Sequence, residues 1–189
     1  MAPKRSVDGS GVIEKNYQRI FFYIRGMVRS SSEAEDLTQE AFLRAHRERE
    51  TVKDPEATLA WLYRIATNVA LDRLRQRKSL ATRVSKVDLA DIDPPDPGER
   101  SLEQILDQDQ MSACVHRFLV DIPDTYRSVI LLHDMQGLTG SEIAAMLKVP
   151  LPTVKIRLHR ARRRLKTALE AGCKFSCDSR GVFICEPKK

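Results

Sequence analysis

The sequence predicts an all-α protein built from two small helical domains joined by a flexible acidic linker. Apolar residues recur at helical spacing over residues 12–78 and again beyond about residue 110, and neither stretch alternates as a strand would. Between them, "DLADIDPPDPGERSLEQ" holds three prolines, a glycine and many carboxylates, with no apolar stripe before Leu102. A chain of 189 residues is long enough for one domain or for two small cores.

The first helix is expected from Ile13, Tyr17, Ile20 and Ile24 on one face. A second follows, with Ser31 or Ser32 as its cap, Glu33, Glu35 and Asp36 at the positive end of its dipole, and Leu37, Ala41 and Ala45 as its stripe. Pro55 interrupts the pattern, and Leu59, Leu62, Ala66, Val69 and Arg73 or Leu74 resume it, which makes a bundle of three or four helices. The second block comes in shorter pieces punctuated by Pro123, Gly137, Gly140 and the Pro150/Pro152 pair. The expected domain limits are 12–78 for the first bundle, 79–110 for the linker, 111–170 for the second bundle and 171–189 for a cysteine-containing tail that reads as weakly strand-like around "GVFIC". No repeat of 20 to 50 residues is present.

No apolar run approaches the roughly 20 residues of a membrane span, and "MAPKRSVDGSG" has no secretory core, so a cytoplasmic protein without a membrane partner is expected. The four cysteines do not form a secreted disulfide framework. His46, His116, His133 and His159 are scattered, and no P-loop, HExxH or nucleophile elbow occurs, so the chain is not expected to be an enzyme.

The formal charge of +6 is modest, and its distribution carries more information. "GLTGSEIAAMLKVPLPTVKIRLHRARRRL" reads as helix, tight turn, helix: Ser141 or Thr139 caps the first, Ile143, Ala144 and Leu147 point inward, and Pro152 suits the first turn of the second. In that second helix Val154, Leu158, Ala161 and Leu165 form the core stripe, leaving Lys155, Ile156, His159, Arg160 and Arg163 outside, with Arg157, Arg162, Arg164 and Lys166 beside them. A helix-turn-helix sets such a helix in the major groove, where Arg and Lys reach guanine and apolar groups meet thymine methyls. The alternative is a solvated face rich in Arg. A solvated face normally mixes signs, and residues 151–167 contain no Asp or Glu, which favours DNA.

"AEDLTQEAFLRAHR" (34–47), "AWLYRIATNVALDRLRQRK" (60–78) and "LTGSEIAAMLKVPLPTVKIRLHRARRRL" (138–165) occur in the order and spacing of a bacterial extracytoplasmic-function (ECF) sigma factor of the sigma-70 family, which the chain resembles up to about residue 170. The resemblance implies sigma region 2 and sigma region 4 without a region 3 between them. It implies that Asp36, Gln39, Glu40 and Phe42 dock on the β′ clamp of core RNA polymerase, with a further contact to the β flap. Trp61, Tyr63, Arg64, Asn68, Arg73, Arg75 and Arg77 would open the minus-ten element, Asn68 with the preceding loop forming a pocket for a flipped base. Unstacked bases need aromatic or amide surfaces, and the displaced strand needs cations. For Trp61 a core position stands equally open. The minus-thirty-five element would be read by Lys155, Ile156, His159 and Arg160, with Arg157, Arg162 and Arg163 alongside. The chain departs from the family at Pro152, where Gly is usual, and at Ile156, where Ser is common. Family members are commonly held by an anti-sigma protein between the two domains.

The tail is outside this resemblance. Cys173, Cys177 and Cys185 have a C-x3-C-x7-C spacing that is not that of a zinc ribbon. Three thiolates with an outside ligand would suit Zn or Cu, or a redox sensor, whereas cysteines also serve as small apolar packing residues. Cys114, on an apolar helical segment, is expected in the core. The functional expectation is a sigma factor that binds core polymerase and directs promoter recognition, melting and initiation, needing no cofactor. Its rival is a free-standing dimeric helix-turn-helix regulator.

Overall fold

The computed structural model describes residues 15–49, 57–83, 115–177 and 183–188. Two helical bundles occupy most of it, followed by a two-stranded hairpin. The Pro55 loop, Cys114 and residues 84–110 of the expected linker lie outside the described residues.

Helix α1, Tyr17–Met27, buries Ile20, Tyr23, Ile24 and Met27, the spacing that puts four side chains on one face. Of the expected stripe Ile20 and Ile24 are interior, and Ile13 lies outside the described residues. Tyr17 stays 39% exposed and meets Phe42 at a ring separation of 5.1 Å, while Tyr23 takes the core position and hydrogen-bonds Thr67 at 2.8 Å. Helix α2, Ser31–Glu48, is capped by Ser30, whose side chain accepts from the Glu33 amide at 3.3 Å. The cap sits one residue before the expected pair because Ser30 is still extended and Ser31 is already helical. Ala34, Leu37, Thr38, Ala41 and Ala45 form its buried face, small residues that let α1 and the next helix approach closely.

Helix α3, Thr58–Arg83, has two unlike halves. Trp61, Leu62, Tyr63, Ile65, Ala66, Val69 and Ala70 are buried, whereas residues 75–80 are exposed, so the second half runs beyond the bundle. It continues past the expected end at residue 78.

A helical turn at 115–119 opens the second bundle. Helix α4, Asp124–Ile130, continues into a π-helical turn, Leu131–Met135, and Gly137 reverses the chain at φ 74°. Helix α5, Gly140–Leu147, begins in a capping box: Thr139 Oγ1 accepts from the Glu142 amide, and Glu142 accepts from the Thr139 amide at 2.7 Å. Lys148 adopts the left-handed conformation, φ 53°, that ends α5 and turns the chain into helix α6, Leu151–Gly172. Gly172 is required there, since a Cβ would lie 2.4 Å from the Phe118 ring.

Strand β1, Cys173–Cys177, pairs antiparallel with strand β2, Phe183–Pro187, placing Phe175 opposite Cys185. The fold is therefore all-α in both domains with a hairpin appended. Lys188 returns to the end of α6, its amide donating to Gly172 O at 2.9 Å and its ammonium to Glu170 O, which caps the negative end of that helix.

Candidate nucleic-acid interface

The helix-turn-helix is formed by α5 and α6. Val154 and Ala161 are buried and Leu158 and Leu165 half-buried, so the expected stripe faces the domain. The opposite face presents Lys155, Ile156, His159, Arg160 and Arg163 to solvent, Ile156 being 51% exposed. A desolvated thymine methyl would find an apolar partner in Ile156 without any rearrangement of the helix.

The other cations of α6 differ among themselves. Arg162 is held by both oxygens of Asp134, one contact at 2.9 Å, and Asp134 also accepts from His133 at 2.7 Å. The Arg162 hydrogen bonds keep the Asp134 carboxyl below the usual carboxylate range. Arg162 therefore ties the recognition helix to the π turn before it meets anything else. Arg160 donates to the Tyr126 hydroxyl at 3.2 Å, an interaction that favours the phenolate and lowers the Tyr126 pKa. Arg157 is half-buried. Along the flank, Arg160, Arg163 and Arg164 line a groove floored by Phe118, Ile122, Ala168 and Ala171.

On α3 the expected strand-opening residues separate into three sets. Trp61 is 8% exposed and Tyr63 fully buried, the latter donating to Gln136 Oε1 at 2.5 Å and packing edge-on against Tyr23. Neither presents a ring face to a base in this arrangement, because burial inside the first bundle and against the second uses both rings as core. Asn68 is exposed, and with Arg64 it lines a crevice of about 290 Å³ whose other walls include Arg44, Glu48 and the Met146–Lys148 end of α5. Arg73, Arg75 and Arg77 lie on the projecting half, where Arg77 pairs with Glu33 at 2.8 Å, Arg73 with Glu33 at 3.8 Å and Arg75 with Asp72 at 2.7 Å. Surface pairs of this kind contribute about 0–1 kcal/mol, so a phosphate can replace the carboxylate at small cost.

On α2, Asp36 and Gln39 are exposed, Glu40 pairs with Arg44, and Phe42 packs on Tyr17 rather than projecting. Sequence reasoning missed Leu43, which is 60% exposed. It lies four residues beyond Gln39 and seven beyond Asp36, on their face of the helix, and that spacing was the available signal.

The three tail cysteines do not suit one shared ion. An extended strand rises about 3.3 Å per residue, so Cys173 and Cys177 stand roughly 13 Å apart on β1. Zinc–sulfur bonds are about 2.3 Å, too short for one ion to reach both. Cys173 is buried. Among the described residues no group of three or more metal-ligating side chains gathers, and none of their helices is long and apolar enough to cross a membrane.

A helix-turn-helix with an acid-free outer face, beside a second bundle carrying an amide-and-arginine surface on a projecting helix, defines a two-domain nucleic-acid-binding protein. Residues 12–80 match the model of Sigma-70 region 2, and residues 112–165 that of Sigma-70 region 4. The chain is 32% identical over 169 residues to the ECF RNA polymerase sigma factor SigW of Bacillus subtilis, a match covering 84% of this chain and 87% of that one. It is 32% identical over 158 residues to the ECF RNA polymerase sigma factor SigE of Mycolicibacterium smegmatis, covering 84% of this chain and 60% of that protein's length. Its fold resembles the sigma factor RpoE of Bartonella quintana, solved with the anti-sigma factor NepR, at a TM-score of 0.69, 21% identity and coverage of 86% and 97% of the two chains. The chain belongs to the ECF group of RNA polymerase sigma factors.

Proposed function

We propose that the chain is a cytoplasmic promoter-specificity subunit that performs no chemistry of its own and acts by binding core RNA polymerase and promoter DNA. The observation that carries this reading is the outer face of α6, where Lys155, Ile156, His159, Arg160 and Arg163 stand exposed without an intervening acid. These residues would read the minus-thirty-five element, with Arg157 beside them and Arg162 held to Asp134 as a positioning contact. Arg64, Asn68, Arg73, Arg75 and Arg77 would engage the opened minus-ten strand, while Trp61 and Tyr63 support them from the core. Asp36, Gln39, Glu40 and Leu43 would face the β′ clamp, with Phe42 bracing the helix through Tyr17. The apolar groove beside α6, floored by Phe118 and Ile122, suits a helix of the β flap. Residues 12–78 and 111–170 would be the two working domains and 79–110 the tether that lets them reach separate promoter elements. An anti-sigma protein is a fitting further partner, since the Bartonella relative was solved bound to one.

For the tail, the strand spacing favours packing over an ion shared by all three cysteines, and no cofactor is required. Lys188 capping α6 gives the hairpin a structural task.

Run-off transcription on fragmented host DNA, with core polymerase alone and with this protein added, tests the reading. New transcripts starting downstream of a shared pair of motifs are expected. Tight, half-site-symmetric binding to duplex DNA by the protein alone, with no new transcripts, would instead establish the dimeric regulator.

A further inference from the structure

Arg162 differs from the other cations of α6 in what holds it. It lies three residues beyond His159 and seven beyond Lys155, so it continues their edge of the outer face. Its Nε donates to Asp134 Oδ2 at 2.9 Å and an Nη to Asp134 Oδ1, a two-point grip on one carboxylate. His133 Nδ1 donates to the same carboxylate at 2.7 Å. The hydrogen bonds from Arg162, joined by that from His133, hold the Asp134 carboxyl below its usual range, and the same pairing raises Arg162 above its ordinary value, so both stay charged near neutrality. Single-point surface pairs contribute little, whereas a two-point arginine–carboxylate pair with a third donor is the geometry in which an exposed pair counts. Arg160, by contrast, meets the neutral Tyr126 hydroxyl, and Lys166 meets Glu170 of its own helix at 3.7 Å.

Asp134 is carried on a firm support. The π turn is closed by the Gln136 amide, which donates five residues back to Leu131 O at 3.1 Å, and Leu131 and Leu132 are buried. Leu131 sits where the two bundles pack together: a Cβ on Gly26 of α1 would lie 2.8 and 2.9 Å from its methyls. Beside this seat Arg127 of α4 donates to Met27 O at 2.6 Å, and His116 Nε2 donates to Arg25 O at 2.6 Å and to Val28 O at 3.0 Å. The acid therefore cannot follow Arg162 if the guanidinium swings outward. Either Arg162 stays on Asp134, or it leaves that carboxylate without its cation.

An acid-free outer face is drawn to any duplex, because phosphate contacts carry no sequence information. A cation on its edge adds to that indiscriminate attraction unless something nearer competes for it. We propose that Asp134 is a specificity-determining residue: it withholds Arg162 from DNA phosphates and so keeps the sequence-independent part of binding small relative to base reading by Lys155, Ile156, His159 and Arg160. The proposal rests on the reading of α6 as the minus-thirty-five helix. A phosphate can take Arg162 only by displacing Asp134, and it then faces the freed carboxylate as a like charge. In the register fixed by base contacts the pair stays closed and braces α6 against the π turn. On unrelated sequence no base contacts fix the helix, and the cation that would grip the backbone instead is already engaged.

The test compares the full-length chain with Asp134→Asn, Asp134→Glu, Arg162→Gln and the double variant Asp134→Asn/Arg162→Gln. Fluorescence anisotropy follows binding to a labelled duplex of scrambled sequence across salt, then to a duplex carrying the minus-thirty-five motif that run-off transcription supplies, and circular dichroism reports helix content. Asp134→Asn is expected to bind scrambled duplex more tightly with unchanged helix content, its salt slope steeper by about 0.9, so that its advantage over wild type grows about threefold as salt falls from about 200 to about 50 mM. Its preference for the motif over scrambled sequence is expected to fall at least threefold. Asp134→Glu, which keeps the charge, should stay near wild type in both. Substituting Asp134 in the Arg162→Gln chain should leave the slope where Arg162→Gln put it, since the cation to be released is gone. A gain in slope that persists in the double variant is a general effect of net charge and overturns the proposal. So does an Asp134→Asn chain that binds scrambled duplex no more tightly than wild type, or one whose affinities for motif and scrambled duplex rise by the same factor. If Lys155→Glu with Arg160→Glu leaves duplex binding unchanged, α6 is not the DNA-reading helix, and the proposal falls with that reading rather than by itself.

Discussion

Helices α2 and α6 are of similar length, amphipathic and functional by our reading, yet they are built differently. Ala34, Leu37, Thr38, Ala41 and Ala45 of α2 are buried, so α2 is clamped between its neighbours, and its exposed polar face carries Glu35, Asp36 and Gln39. Of the 22 residues of α6 only Val154 and Ala161 are buried, and its surface is dominated by Lys and Arg. The acidic helix has the character of a protein-docking face, framed by rigid packing and tipped by exposed Leu43. The basic helix stands clear of its own domain, as an element must if it is to enter a groove. Substitutions on the outer face of α6 should therefore alter recognition with little change in stability, whereas α2 tolerates changes only on its exposed stripe.

The largest effect should come from reversing charge on α6. Lys155→Glu combined with Arg160→Glu is expected to abolish promoter-specific transcription while thermal unfolding shifts little, and a comparable loss of folding would mean that the face is structural after all. Arg163→Ala together with Arg164→Ala should flatten the salt dependence of promoter binding by about two units of slope if each meets a phosphate. Next in size, Leu43→Asp should weaken binding to core polymerase at least tenfold in a pull-down titration and leave DNA contacts unchanged, because its side chain is solvent-facing in the free protein. Equal affinity for polymerase would remove Leu43 from the docking face. Smaller still, Ser30→Ala and Thr139→Ala each delete one helix cap and should cost about 1 kcal/mol in denaturant unfolding.

Periodicity carried most of the fold. Leu37, Ala41 and Ala45, and Leu62, Ala66 and Val69, occupy the interior positions that their spacing demands. The acid-free run of α6 made its outer face legible for the same reason. What spacing does not encode is which of two faces a neighbour covers. Tyr63 read as a base-stacking group because aromatics beside arginines fit that task, and Trp61 as that or core in equal measure, but the first half of α3 is enclosed on more than one side and both rings are interior. Arg162 looked like its neighbours until Asp134, 28 residues earlier, was found to hold it. The domain contact was invisible for a similar reason: Gly26, His116, Arg127 and Leu131 belong to no motif, and only the fold brings them together. In the tail, three cysteines left both a metal and simple packing open, and the extended strand from Cys173 to Cys177 favours packing.

The smallest predicted effect sharpens the same contrast, since it concerns a helix end rather than a helix face. Burial holds His116 below its ordinary pKa of 6.5, with Arg25 and Arg127 adding repulsion to the charged form and its hydrogen bonds to the Arg25 and Val28 carbonyls partly opposing this. Arg25 of α1 lies 3.4 Å from the imidazole, Asp124 pairs with Arg127 on α4, and Arg29 and Asp121 complete the charged groups nearby. A group whose folded pKa is depressed below its unfolded value stabilises the fold fully above the unfolded value, and that contribution declines as pH falls through the interval between the two. The packed form should therefore be steady at pH 7 and above and loosen as pH drops below about 6.5. His116→Gln keeps a side-chain N–H for the carbonyls of α1 but cannot titrate, so scattering across pH 5–8 should show expansion of the wild type at the acid end and a flat profile for the variant. If both chains expand together, the acid response belongs to other groups, and His116 serves the α1 terminus only as a hydrogen-bond donor.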